Sequence, residues 1–105
     1  MSTQGTNVPS NGTHEWGHRG KENSPFGTEG SFEVHLGGTG ERIAEIYWDC
    51  PNIRPWDCPK IGDSNKLEKR YVKPGYVVSV EDFSIASGAL GKGKITIQDD
   101  ELFSI

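Results

Sequence analysis

The sequence predicts an all-β fold, an antiparallel β-sandwich, from three observations. Apolar and polar residues alternate in short runs, as in Ser31-Phe32-Glu33-Val34-His35-Leu36. Turn signals built on Gly and Pro separate those runs at short intervals. No stretch sustains the 3.6-residue period of a helix.

Along the chain, residues 1–30 carry Gly, Ser, Thr, Asn and Pro throughout, with Val8, Trp16 and Phe26 as large apolar side chains. Neither a period of 2 nor one of 3.6 emerges there, which predicts a loop or disordered tail. Turn formers crowd residues 20–30, ahead of the first strand at 31–36. Gly37-Gly38-Thr39-Gly40 is a turn, because Gly reaches positive φ without steric cost. Residues 42–48 follow with Ile43, Ile46 and Tyr47, completing a hairpin. Three prolines and a Gly-Asp-Ser-Asn run make 50–65 a long loop, and loops of that length inside small domains tend to be functional or disordered. Strands at 67–72 and 76–80 flank the Pro74-Gly75 turn, and residues 92–98 alternate around Ile95 and Ile97 after a turn at 87–91. The expected total is about five strands, a sheet that leaves edges and one face in need of cover.

Size and composition exclude several classes of function. A chain of 105 residues is one domain at most. Only 32% of residues are hydrophobic, mean hydropathy is -0.62, and most of the apolar residues lie from Phe32 onward. A net charge of -4 argues against nucleic acid as the main partner, since phosphate backbones need clustered Lys and Arg. No apolar stretch of about 18 residues exists to span a membrane as a helix. The N-terminus lacks the basic and apolar regions of a secretory signal, so the expectation is a chain made in the cytoplasm, staying there or leaving without a signal peptide. Without such a signal, the sequon Asn11-Gly12-Thr13 reads as a chance match. Cys50 and Cys58 could close a short disulfide loop, whereas a reducing cytosol would keep both as thiols. Two cysteines with no nearby His do not make a structural zinc site.

His14-Glu15-Trp16-Gly17-His18 matches H-E-x-x-H, a zinc-peptidase motif that works when a helix brings both His to one face with Glu as general base. Gly17 and Gly20 weaken any helix here, and a third ligand from Glu45 or Asp49 would sit on an expected strand. The peptidase reading is therefore the weakest of those considered. No nucleophile elbow or phosphate loop is recognisable, and Asp99-Asp100-Glu101 reads as a solvated chain end. The chain is expected to be non-enzymatic, with no cofactor, no metal and no catalytic residue. Chemistry-bearing side chains gather instead at Tyr47, Trp48 and Trp56, with Lys60, Lys66, Lys69 and Arg70 following. Tyr and Trp pair an apolar body with a polar tip, which suits membrane interfaces, and Lys beside them can meet lipid phosphates. Trp48 has a second reading, as a core residue at the end of its strand. Trp56, between two loop prolines, is the better candidate for exposure.

Three motifs, in order, resemble the aegerolysin family: Gly27-Thr28-Glu29-Gly30-Ser31-Phe32-Glu33-Val34, then Ile46-Tyr47-Trp48-Asp49-Cys50-Pro51, then Ser87-Gly88-Ala89-Leu90-Gly91 ahead of Lys94-Ile95-Thr96-Ile97. Gly20-Lys21 resembles the Gly-Arg pair that precedes the first of them. The resemblance implies a β-sandwich that binds membrane lipids, namely sphingolipid and sterol domains. In some members a perforin-like partner then makes pores, giving a haemolysin-like activity. It also implies a peripheral location at membranes, lipid contact through Tyr47, Trp48, Trp56 and Lys60, and motif roles for Gly27, Gly30, Asp49, Cys50, Pro51, Gly88 and Gly91. By the same comparison, residues 1–19 stand as a low-complexity segment where the family has strands, so 20–105 reads as a partial domain lacking its N-terminal strands. Asn52 follows the first Cys-Pro and Lys60 the second, where the family carries a lipid-facing Trp, and Phe26 stands where some members have an acidic residue. Residues 52–59 look like an insertion that repeats Trp-Asp-Cys-Pro. The alternative is a truncated relative without binding activity, or a misassembled gene.

Overall fold

The computed structural model describes residues 5–23, 27–50, 66–86 and 89–100. These residues form strands β1 (Gly5–Val8), β2 (Gly12–Arg19), β3 (Lys21–Asn23), β4 (Gly27–Leu36), β5 (Arg42–Cys50), β6 (Lys66–Arg70), β7 (Tyr76–Ala86) and β8 (Leu90–Asp99), and no helix. One sheet runs β1-β4-β5-β6, with β3 also on β4; the other runs β2-β8-β7. β1 joins β4 in parallel through Gly5↔Glu33 to Val8↔Leu36, while β3 pairs antiparallel with residues 27–29 of the same strand. All other pairings are antiparallel. The sandwich expected from the alternating runs is present.

Its hairpin between β4 and β5 turns where the glycines predict, with Gly38 at φ 92° and Gly40 at φ 74°. Leu36 N–H donates to Glu41 O at 2.8 Å, and Gly40 N–H to Leu36 O at 2.9 Å, closing the turn. Every second residue of β4 then faces inward, so Phe32, Val34 and Leu36 are buried. At the Val34/His35 irregularity the register passes from Val34↔Ala44 to His35↔Arg42. Ile43 is thus the extra residue of a bulge, and both Ile43 and Ala44 reach the core. A second bulge, between Glu81 and Ser84 with Asp82 at φ 56°, shifts the inward face of β7 by one residue. Val78 faces in before it, and Phe83 and Ile85 face in after it. The Pro74-Gly75 turn links strands that belong to different sheets rather than to one hairpin.

The sheets pack through an aromatic cluster. Trp16 of β2 lies 4.4 Å from Phe32 of β4 and 6.1 Å from Trp48 of β5, centroid to centroid. Trp48 in turn lies 5.6 Å from Phe83 of β7. Val8, Val34, Ile43, Ile46, Ile95 and Ile97 complete the fully buried core.

The N-terminal expectation is corrected. Residues 5–19 are not a disordered tail: β1 extends one sheet, and β2 pairs with β8 from Gly12↔Ile97 to Arg19↔Leu90. Strands therefore do precede Gly20, and the described strands number eight rather than five. The alternation of β2 was hidden because Trp16 is its one buried residue, and the alternate positions around it are Gly12, the exposed His14 and the half-buried His18, none of them a large apolar residue. In this fold the pairing with β8 supplies what local apolar content does not.

Candidate functional site

Successive residues of a strand point to opposite faces, so β5 separates Tyr47 from Trp48. Trp48 is fully buried, its ring lying against Gly20, Gly30 and Gly91. This corrects the placement of Trp48 at a lipid-facing surface; its core reading is the one that holds. The indole stays inside because Gly30, its cross-strand partner, has no side chain to compete for the space.

Tyr47 faces outward, half-buried, with Ser31 of β4 and Glu68 of β6 as cross-strand neighbours. Arg70 places its guanidinium 4.0 Å from the Tyr47 ring centroid, and its Nε donates to Glu68 Oε2 at 2.8 Å. That is a cation–π contact on an exposed sheet face. Burial pushes the Tyr47 phenol pKa up, and the carboxylates of Asp49 and Glu29 push it further in the same direction. The ring is therefore a neutral, electron-rich surface set among acids.

Beside Tyr47 the outer sheet surface carries a groove of about 480 Å³. Arg19 and Lys21 line it together with Glu29, Gly30, Ser31 and Tyr47. Gly20, between the two cations, allows the chain to cross from one sheet to the other in close contact with β4. Its N–H donates to Ala89 O at 2.7 Å, and a Cβ there would sit 2.7 Å from Trp48 Cζ2. The crossing thus delivers Arg19 and Lys21 to the same groove. Asp49 is half-buried on the same outward face, paired with Glu29 and Lys66 along the ladder. Gly27 is buried at the start of β4. Trp56, Lys60, Pro51, Gly88 and Cys58 lie outside the described residues.

Cys50 is buried and disulfide-bonded, which corrects the expectation of a thiol at this position. The H-E-x-x-H spacing has a different meaning on a strand. At about 3.4 Å per residue, His14 and His18 stand roughly 14 Å apart along β2, too far to share one metal ion. Among the described residues no group of three His, Cys, Asp or Glu side chains could hold a metal. His14 is exposed, whereas His18 stacks on Phe32 at 4.4 Å and shares a 2.5 Å hydrogen bond with Thr6 Oγ1.

Burial holds the His18 pKa below its ordinary value of 6.5. The folded state therefore binds a proton at His18 less readily than the unfolded chain. The stability this confers is complete above about pH 6.5 and is lost as pH falls through the lower folded value. Urea midpoints at pH 7.5 and 5.5 should fall more for the parent protein than for His18→Gln, which keeps a polar planar group without the charge. Equal falls in both proteins would show that His18 does not carry this dependence.

The aegerolysin family model matches residues 2–55. This chain belongs to the aegerolysin family. The match begins ahead of β1, so the strands that sequence periodicity missed are part of the family's own pattern. It takes in the first two motifs, while the Ser-Gly-Ala-Leu-Gly motif of this aegerolysin lies beyond it. No curated protein and no solved structure matches the chain.

Sequence reasoning singled out Tyr47 but missed Arg19, Lys21, Glu29 and Ser31 as its neighbours. One signal was available: Lys21 and Glu29 carry opposite charges and become directly opposed partners in the β3–β4 pairing. Nothing local signals Arg19, because its position depends on a crossing between sheets.

Proposed function

We propose that this aegerolysin is a peripheral membrane-lipid-binding protein that recognises sphingolipid and sterol domains, without being an enzyme. The observation that carries this reading is the family match over residues 2–55. A cationic and aromatic outer surface around Tyr47, Arg19 and Lys21 supports it, because such side chains suit a lipid headgroup layer. Trp56 and Lys60 belong to the same proposal as further contacts from the segment after β5. Pore formation in this reading needs a perforin-like partner, and the chain alone binds without opening the bilayer.

Co-sedimentation with vesicles tests this. Folded protein, verified by a cooperative circular dichroism melt, should pellet with sphingomyelin/cholesterol vesicles and stay in solution with phosphatidylcholine alone. Those vesicles should also retain an entrapped dye when only this chain is added. A folded sample that pellets with neither composition overturns the proposal. That outcome favours the non-binding relative, a reading consistent with Trp48 in the core and Asn52 after the first Cys-Pro.

A further inference from the structure

We propose that Asn11 is a site of spontaneous deamidation, guarded by Asp99 in the folded protein and released when the turn between β1 and β2 opens. The inference goes beyond the lipid-binding reading and does not depend on it. Three observations carry it.

The first is the sequence at the turn. Among Asn7, Asn11, Asn23, Asn52 and Asn65, only Asn11 precedes a glycine. Asparagine is a thermolabile side chain, and the residue after it sets how closely the backbone can approach its carboxamide. Gly12 has no side chain to hinder that approach. In the reaction, the backbone nitrogen of Gly12 attacks Cγ of Asn11. The new N–Cγ bond forms as the Cγ–Nδ2 bond breaks, and Nδ2 leaves as ammonia with the proton given up by Gly12. Water then opens the cyclic imide at either carbonyl, leaving aspartate or isoaspartate at position 11.

In the folded protein, however, both reacting groups are occupied. Asn11 stands at φ 52° in the turn Pro9-Ser10-Asn11-Gly12, a left-handed conformation that Asn tolerates. Gly12 N–H donates to Pro9 O at 3.1 Å, so the attacking nitrogen is tied back to the turn. One residue holds the carboxamide at both ends. Asn11 Nδ2 donates to Asp99 Oδ2 at 3.1 Å, and Asp99 N–H donates to Asn11 Oδ1 at 3.0 Å. Attack on Cγ needs this clamp to release first.

Finally, the clamp stands where it can open and cannot be remade. Asn11 and Asp99 are both exposed, at the end of the β2–β8 ladder beyond Gly12↔Ile97. Exposed ladder ends open more readily than ladder centres. After conversion, a carboxylate at position 11 has no donor for Asp99 Oδ2, and the two like charges repel. Isoaspartate also lengthens the backbone within the turn. Conversion is therefore one-way, and it loosens the link between β1 in one sheet and β2 in the other.

The test follows every asparagine of the full chain by peptide mapping and mass spectrometry at pH 7.5 and 37 °C. Folded parent should keep Asn11 intact long after parent held in urea has converted it. In urea, Asn11 should convert ahead of the others. Asp99→Ala, shown by its melt to be folded, should convert Asn11 about tenfold faster than the folded parent, the scale of one lost charge-assisted hydrogen bond. Asp99→Asn, which keeps the backbone donor and a side-chain acceptor, should stay closer to the parent. Asn11→Asp, which mimics one product, should lower the urea midpoint and speed hydrogen exchange at the Gly12 amide.

Equal conversion of Asn11 in folded and urea-held parent overturns the guard, as does a folded Asp99→Ala that converts no faster than the parent. An Asn11 that stays intact in urea overturns the site itself. An Asn11→Asp protein as stable as the parent overturns the one-way release. The comparison of folded with urea-held parent needs no variant, so it decides the guard even where Asp99→Ala fails to fold.

Discussion

Trp48→Ala is expected to lower the unfolding free energy by about 3–5 kcal/mol, the range for emptying a buried Trp or Phe site. Trp48 is fully buried and touches both sheets, lying 6.1 Å from Trp16 and 5.6 Å from Phe83 between ring centroids. Its removal leaves a cavity that the neighbouring strands cannot easily fill, because Gly20, Gly30 and Gly91 have no side chains to move into it. Domains of this size hold only about 5–15 kcal/mol in total. The variant should therefore show a much lower urea midpoint, and its melt should lose cooperativity if the two sheets separate. A midpoint within experimental scatter of the parent would mean that Trp48 is not the contact holding the sheets together.

Gly30→Ala should destabilise from the opposite direction, by about 1–3 kcal/mol or more, the cost of overpacking a well-filled interior. A Cβ at residue 30 would lie 2.5 Å from Trp48 Cη2 and 2.8 Å from Trp48 Cε2. The obstacle is a ring held on several sides rather than the end of a flexible side chain. Gly91→Ala meets the same ring, with Cη2 at 2.8 Å. The diagnostic experiment is the double variant Gly30→Ala/Trp48→Phe, since a smaller ring makes room for the methyl group. Its midpoint should lie above the sum of the two single losses, because residues in direct contact do not behave additively. Strictly additive losses would mean that Gly30 matters for backbone reasons and not for the space it leaves to the indole.

Much of this molecule was legible before its structure because several of its strands are locally consistent. In β4 and β8 apolar side chains alternate with polar ones, and glycines stand where positive φ is needed. β2 was not legible for the reason that makes it informative. Its inner face is aromatic and imidazole rather than aliphatic, and it is held by the distant β8, so no window of neighbouring residues contains the signal. Tyr47 and Trp48 show the same limit at the site. Composition identified the pair as chemically unusual, but only the register Gly30↔Trp48 and Ser31↔Tyr47 decides which ring goes in and which goes out. The groove required still more. Arg19, Lys21 and Glu29 meet through a crossing at Gly20, and neither charge counting nor spacing reveals it.

The pairing of β2 with β8 also governs the order in which the protein can be assembled. β2 (Gly12–Arg19) and its ladder partner β8 (Leu90–Asp99) are far apart in sequence, so this sheet cannot close until β8 has left the ribosome. Closing so long a loop is slow compared with forming the β4–β5 hairpin. Until then, the Trp16 strand is an unpaired edge with an exposed indole, the kind of surface on which nascent chains associate or chaperones bind. β2 is thus made well before the strand that protects it.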